Sequence, residues 1–169
     1  MPSPRPASKP KSLTGRIDGG ARGNPGPAGI GVLLEDDAGR REEIYGFLGA
    51  ATNNVAEYVA LLVLLHHGIR RGAARLAVHS DSELLVRQIK GEYRVKNPRL
   101  QQLHAEARRL MRRIPEVTVR HVRREENQDA DRLANRAMDE RQSSEPLPAE
   151  IRELLEAGAQ GTLFAGPPG

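Results

Sequence analysis

Four acids stand out by where they fall in the sequence. Asp18 closes a short apolar run and precedes Gly19-Gly20, and Glu57 lies in the opening turn of a helical pattern. Asp81 follows another apolar run, and Asp131 sits near the start of the last amphipathic stretch. Each has an ordinary use. An Asp before two glycines suits a turn, and Asn54-Val55-Ala56-Glu57 has capping-box spacing with Asn as the cap. Asp81 and Asp131 suit helix N-termini. Brought together at one sheet edge, the four would repel one another unless a cation were present. All-oxygen ligands select hard divalent ions, Mg²⁺ or Mn²⁺, over zinc. Two such ions about 4 Å apart can activate water and steady the leaving oxygen of an in-line phosphodiester displacement.

The elements that must position these acids are legible from periodicity and punctuation. Leu13–Ile17 reads as a strand, Ala21–Gly29 as a Gly/Pro loop and Ile30–Leu34 as a second strand. Asp36-Asp37-Ala38-Gly39 reads as a hairpin turn, and Glu42–Ala50 as a third strand. The period then changes: Val55, Val59, Leu62, Val63 and Leu65 keep helical spacing over Asn54–Gly68. Leu76–Val78 is a fourth strand and Ser82–Lys90 a helix. A longer helix starts at Pro98 behind Asn97 and stops at Pro115. Val117–His121 alternates as a fifth strand, and Asn127–Arg141 is a helix with Ala130, Leu133, Ala134 and Ala137 inward. Hairpin-connected strands followed by alternating helices and strands describe an α/β sheet of mixed direction.

Composition narrows the setting. At 169 residues the chain has the size of one domain, and it contains no cysteine, which excludes disulfides, thiolate metal sites and thiol nucleophiles. Its longest apolar run, Val59–Leu65, is far short of a membrane span, and its first twelve residues hold no apolar core of a signal peptide. A cytoplasmic, monomeric protein without membrane contact is the expectation. Residues 1–12, with four prolines and no acid, read as a disordered basic arm. The domain is expected over 13–142, and 143–169 reads as a Pro/Gly-rich tail with one weak helix near Glu150–Glu156. The net charge is +4, but the stretch Arg99–Arg124 carries eight arginines against Glu106 and Glu116. Such a block suits either a polyanionic partner or a solvated helix face. Outside the tail only Tyr45, Phe47, Tyr58 and Tyr93 are aromatic, too few to stack the bases of a single strand.

Asp18-Gly19-Gly20-Ala21-Arg22-Gly23-Asn24-Pro25-Gly26-Pro27-Ala28-Gly29 resembles the first motif of type 1 ribonuclease H. Thr52-Asn53-Asn54-Val55-Ala56-Glu57 resembles its second, Ser80-Asp81-Ser82 its third, and Arg124 through Asn135 its fourth, all in the family's order. The resemblance implies a mixed five-stranded sheet flanked by helices, three strands antiparallel and then two parallel. It implies two divalent ions, Mg²⁺ or Mn²⁺, and endonucleolytic hydrolysis of the RNA strand of RNA–DNA hybrids. Asp18, Glu57, Asp81 and Asp131 fall on the family's metal-binding carboxylates. Gly23, Asn24, Asn53 and Asn54 fall on loop positions that touch the RNA strand. Thr52 and Asn24 match positions that hold a phosphate of the DNA strand.

Departures are equally specific. Gly20 stands where the family often has Ser. The family's mobile proton-transfer residue is a His in many bacterial members and an Arg in other branches. His121 has the right spacing to Asp131, but alternation puts it inside the fifth strand as a packed side chain, which leaves Arg123, or next Arg124, for that role. His66, His67, His79 and His104 show no convergent partner and read as surface or packing residues. No basic handle follows the third motif, so substrate grip is expected from the loops and from Arg108, Arg109, Arg112 and Arg113 on the long helix. The alternatives are a nuclease of this fold acting on double-stranded RNA, a 3′–5′ exonuclease, and a non-catalytic nucleic-acid-binding module. Exonucleases of this kind begin with Asp-x-Glu, which Asp18-Gly19-Gly20 lacks. A mere binder gains nothing from a repulsive carboxylate cluster.

Overall fold

The computed structural model describes residues 11–164, with side chains as far as 158. The expected arm at 1–12 and the end of the expected tail lie almost wholly outside the described residues. Five strands form one sheet: β1 (Ser12–Ala21), β2 (Gly26–Asp36), β3 (Arg41–Ala51), β4 (Arg75–Ser80) and β5 (Glu116–His121). Their order is β3-β2-β1-β4-β5. The first three are antiparallel, and β4 and β5 run parallel to β1, as the family resemblance implies. Register sets Ile17, Ser80 and His121 side by side at the C-terminal ends of the parallel strands.

β1 and β2 are longer than their composition suggests. Gly20 pairs with Gly29 and Ala21 with Ala28, and Arg22 N–H closes on Pro27 O at 2.8 Å, so the expected nine-residue loop shrinks to Arg22–Pro25. Glycines that read as loop from propensity are needed in the ladder for another reason: helices lie directly on them. Helix α1 (Asn53–Arg70) covers one face of the sheet. A Cβ on Gly19 would meet the Ala56 backbone at 2.4 Å. On the opposite face α4 (Gln128–Glu140) packs over β2, where a Cβ on Gly31 would lie 2.1 Å from Ala130 O. The bare strand backbone lets both helices close on the sheet.

Helix α1 is buried nearly all round because α3 (Pro98–Met111) packs against its outer side, through Leu100, Leu103, Ala107 and Leu110. The short α2 (Glu83–Ile89) joins β4 to α3, and a 3₁₀ turn at Arg124–Glu126 joins β5 to α4.

The segment after 142 is docked against the domain. Ser143 and Ser144 hydroxyls accept the Phe47 and Tyr45 N–H groups at 2.9 and 3.0 Å, covering the β3 edge. Ile151, on α5 (Ala149–Phe164), is fully buried, and Arg99 donates to Leu154 O and Leu155 O. His67, read as partnerless, is buried with Nε2 2.5 Å from Glu145 Oε1 and Nδ1 3.8 Å from Glu42 Oε1. His104 likewise meets Gln88 O at 3.1 Å.

Candidate active site

The fold removes three of the four acids from their ordinary use, while Asp131 stays in the first turn of α4. Asp18 is not in a turn: it lies within β1, opposite Gly31. Thr52, rather than Asn54, caps α1, its Oγ1 accepting the Val55 N–H at 3.2 Å, so Glu57 is outside any capping box. Ser82 caps α2 in place of Asp81. A neighbouring hydroxyl does the capping in both places, which leaves the carboxylate free to face the cleft.

One oxygen from each of Asp18, Glu57 and Asp81 lies within 4.8 Å of the others, and Asp131 hydrogen-bonds Asp18. Together they line an open cleft of about 400 Å³ with Gly20, Arg22, Asn53, Arg124, Asn135 and Met138. Burial, then the charge of Asp81 and the hydrogen bond and charge of Asp131, push the Asp18 carboxyl up to about 8. Glu57 is held well above the usual carboxylate range by burial and then by Asp18 and Asp81. Burial also raises Asp81, opposed by a hydrogen bond from Asn127 and by the Arg124 charge. Such crowding of acids is unfavourable in itself. The donor set fits a hard divalent cation: the ligands are all oxygen, and Glu57 Oε2 is buried without a hydrogen-bond partner.

Asn127, quoted in the fourth motif but given no role there, is fully buried. Its Nδ2 donates to Ile17 O at 2.8 Å and its amide also reaches Asp81, so it ties the start of α4 to β1 and β4 beside the acids. Asn24 Oδ1 accepts the Asn53 N–H at 3.0 Å, and Asn53 Oδ1 accepts the Ala21 N–H at 2.8 Å, locking the β1–β2 loop to the start of α1. Gly23 and Asn54 are exposed beside this junction.

Two expectations change. His121 is exposed, not packed. β5 is the edge strand with Val119 its one buried residue, and the His121 ring stands at the cleft rim with Nε2 3.3 Å from Asp81 O. Arg123 is exposed at the start of the 3₁₀ turn, whereas Arg124 lines the cleft. The four helix arginines are not brought to the acids. α3 leads into the N-terminal end of β5, where Glu116 pairs with Arg75, and Asp81 follows the opposite end of β4. Arg108 donates to Ile89 O, Arg109 pairs with Glu106, and Arg112 and Arg113 lie at the far end of α3.

A mixed sheet in this order, with four acids gathered at the ends of its two central parallel strands, defines a ribonuclease H-like fold. Residues 16–137 match the family described as "Reverse transcriptase-like". The "Bifunctional protein Rv2228c" of Mycobacterium tuberculosis is 38% identical over 86% of this chain, and the "Ribonuclease HI" of Halobacterium salinarum is 39% identical over 73%. The chain spans 43% and 63% of the length of these two relatives. Among solved structures, ribonuclease H1 from H. salinarum superposes with a TM-score of 0.74 at 35% identity, covering 76% of this chain and 98% of that one. LC11-RNase H1, in complex with RNA/DNA hybrid, gives 0.72 at 42% identity over 76% of this chain and 98% of that one. The chain belongs to the type 1 ribonuclease H family.

Proposed function

We propose that the chain is an endonuclease that hydrolyses the RNA strand of RNA–DNA hybrids, using Mg²⁺ or Mn²⁺ held by Asp18, Glu57, Asp81 and Asp131. The observation that carries this reading is the gathering of three carboxylates within 4.8 Å, with Asp131 beside them in the same cleft. When bound, the two ions supply an activated water and stabilise charge on the displaced oxygen. The LC11 relative, solved with hybrid bound, supports the substrate class. Hybrid preference rests on Gly23, Asn24, Asn53 and Asn54, whose amides and close backbone suit reading of a 2′-OH, and Thr52 and Asn24 hold a phosphate of the DNA strand.

The chain's own residues divide the remaining work. Asn127 fixes where Asp81 points. Arg124 presents a fork of hydrogen-bond donors in the cleft, which suits charge stabilisation at the phosphate. That leaves His121, exposed at the cleft rim beside Asp81, to serve the departing oxygen, a role Arg123 is less well placed to fill. The protein works as a monomer in the cytoplasm. No described helix is long and apolar enough to cross a membrane.

The test is cleavage of end-labelled RNA–DNA hybrid, RNA duplex and DNA duplex, each with Mg²⁺, with Mn²⁺ and with chelator. Internal cuts in the RNA strand of the hybrid that require metal support the reading. Equal cutting of DNA duplex, trimming only from an end, or cutting in chelator would overturn it.

A further inference from the structure

Arg22 and Arg124 are the two cations among the described residues lining the carboxylate cleft. They differ in what holds them. Arg22 belongs to the tight β1–β2 loop, and its backbone is fixed by the Arg22 N–H bond to Pro27 O and by the neighbouring Ala21 N–H bond to Asn53 Oδ1. Its guanidinium is turned back onto α4, with Nη1 2.5 Å from Asp139 Oδ1 and Nη2 donating to Asn135 Oδ1 at 3.5 Å. Asn135 also lines the cleft and is itself held by donating to Asp131 O at 3.0 Å. Arg22 is thus anchored at its backbone and only lightly tethered at its head. The Arg22 and Asp139 side chains are 48% and 62% exposed, and an ion pair so open to water contributes little.

A nucleic acid strand whose reacting phosphate lies over the four acids must carry its neighbouring phosphates along the cleft walls. Those phosphates approach a floor of carboxylates and need a counter-charge beside it. A guanidinium presents paired N–H donors that match the oxygens of a phosphate, and it gains more there than against one exposed carboxylate. We propose that Arg22 binds a phosphate of the strand being cut, next to the reacting one, and that Asp139 holds Arg22 in reserve and competes with substrate for it. This inference rests on the nuclease reading above. It adds a phosphate-positioning residue and an internal competitor that the four motifs do not assign.

The competition has a signature that a structural salt bridge lacks. If the pair merely pinned α4 to the loop, removing either partner would weaken the same thing. If Asp139 competes, the two removals act in opposite directions, and the Asp139 effect disappears once Arg22 is gone.

The experiment measures KM and kcat on a short RNA–DNA hybrid with Mg²⁺ across a salt series, with melting temperatures alongside. The proteins are wild type, Arg22→Gln, Arg22→Lys, Asp139→Asn and the Arg22→Gln/Asp139→Asn double variant. Arg22→Gln should raise KM about fivefold, with kcat nearly unchanged, and reduce the slope of log affinity against log salt by about 0.9. Arg22→Lys should restore most of that slope. Asp139→Asn should lower KM about twofold, and this gain should vanish in the double variant. An unchanged KM and salt slope in Arg22→Gln would overturn the inference while leaving the nuclease reading intact. So would a gain from Asp139→Asn that persists without Arg22, since bulk charge alone would then explain it. A wild-type protein that neither binds nor cuts the hybrid would overturn the nuclease reading itself, and this inference with it.

Discussion

The two ends of the sheet carry opposite charge and opposite kinds of information. At the C-terminal ends of β1 and β4, four acids from four separate stretches of sequence meet in one cleft. At the other end, where α3 leads into β5, the densest run of arginines in the sequence is spread over local contacts: Arg108 on Ile89 O, Arg109 on Glu106, Arg112 and Arg113 at the helix end. Linear clustering by itself therefore does not mark the catalytic cleft. Acids scattered along the chain are gathered by the strand register, whereas basic residues clustered in the chain are carried away from the cleft by the direction of one helix.

The sharpest way to break this contrast is to disable each end in turn. Asp18→Asn should lower the turnover of hybrid by about a thousandfold, equivalent to roughly 4 kcal/mol of lost stabilisation of the reacting charge. Arg112→Gln with Arg113→Gln should change KM by no more than about twofold, since both follow the end of α3 that leads away from the cleft and neither lines it, and salt screens exposed charges that do not touch the substrate. A double arginine variant that loses activity as Asp18→Asn does would show that the far end also grips substrate.

Asn127→Ala comes next in size. It leaves Ile17 O and Asp81 without their buried donor, so kcat should fall about 10- to 100-fold, the range seen when a group that orients a metal ligand is removed. Stability should drop by about 1–3 kcal/mol as well. Urea unfolding and single-turnover rates separate the two effects. Full activity in a destabilised Asn127→Ala would deny it any part in aiming Asp81.

Glycine positions sharpen the comparison between backbone and side chain. Gly31→Ala drives a Cβ into the α4 backbone and should cost about 1–3 kcal/mol as the helix is pushed off β2. Gly20→Ser should be nearly neutral, because a Cβ there has only Asn53 Oδ1 at 3.8 Å and Met138 Cε at 4.0 Å for company. The residue in which this chain departs from its family is thus a tolerated difference.

A last contrast concerns pH. Asp18 has a folded pKa of about 8 against an ordinary value of 3.8, so between those values the folded state holds a proton that the unfolded state has released. The unfolded state then binds fewer protons, and stability must fall as pH rises through this window. Metal-free protein should therefore melt lower at pH 8 than at pH 5. Asp18→Asn should melt higher than wild type at pH 8 and show a flatter profile. A metal-free melting temperature that climbs over this range in wild type would contradict the crowded-acid picture.

Much of the site could be read from the chain. Glu57, Asp81 and Asp131 are visible because each sits near the start or end of an element, and Asp18 because it closes the apolar run of β1, although the strand continues to Ala21; strand order then decides that they meet. The sheet was legible for the same reason. The rest depended on contacts between distant segments. Nothing local distinguishes Asn127 from any loop asparagine until Ile17 O is found 2.8 Å away. His121 looked like an inward strand residue because alternation cannot say that β5 is an edge. The Gly/Pro composition of residues 143–169 hid a segment that covers the β3 edge and buries Ile151. The glycines of β1 and β2 favoured a loop by propensity, and the close approach of α1 and α4 overrode that preference.

The central claim is that the acidic end of the sheet performs a cation-dependent cut. Its most direct test is single-turnover cleavage of a labelled RNA–DNA hybrid over a titration of Mg²⁺, with wild type and Asp81→Asn side by side. Wild type should cut the RNA strand only as metal is added, while Asp81→Asn, folded by circular dichroism, should remain about a thousandfold slower at every concentration. Cleavage by wild type in excess chelator, or an Asp81→Asn rate within about threefold of wild type, a difference under 1 kcal/mol, would contradict it.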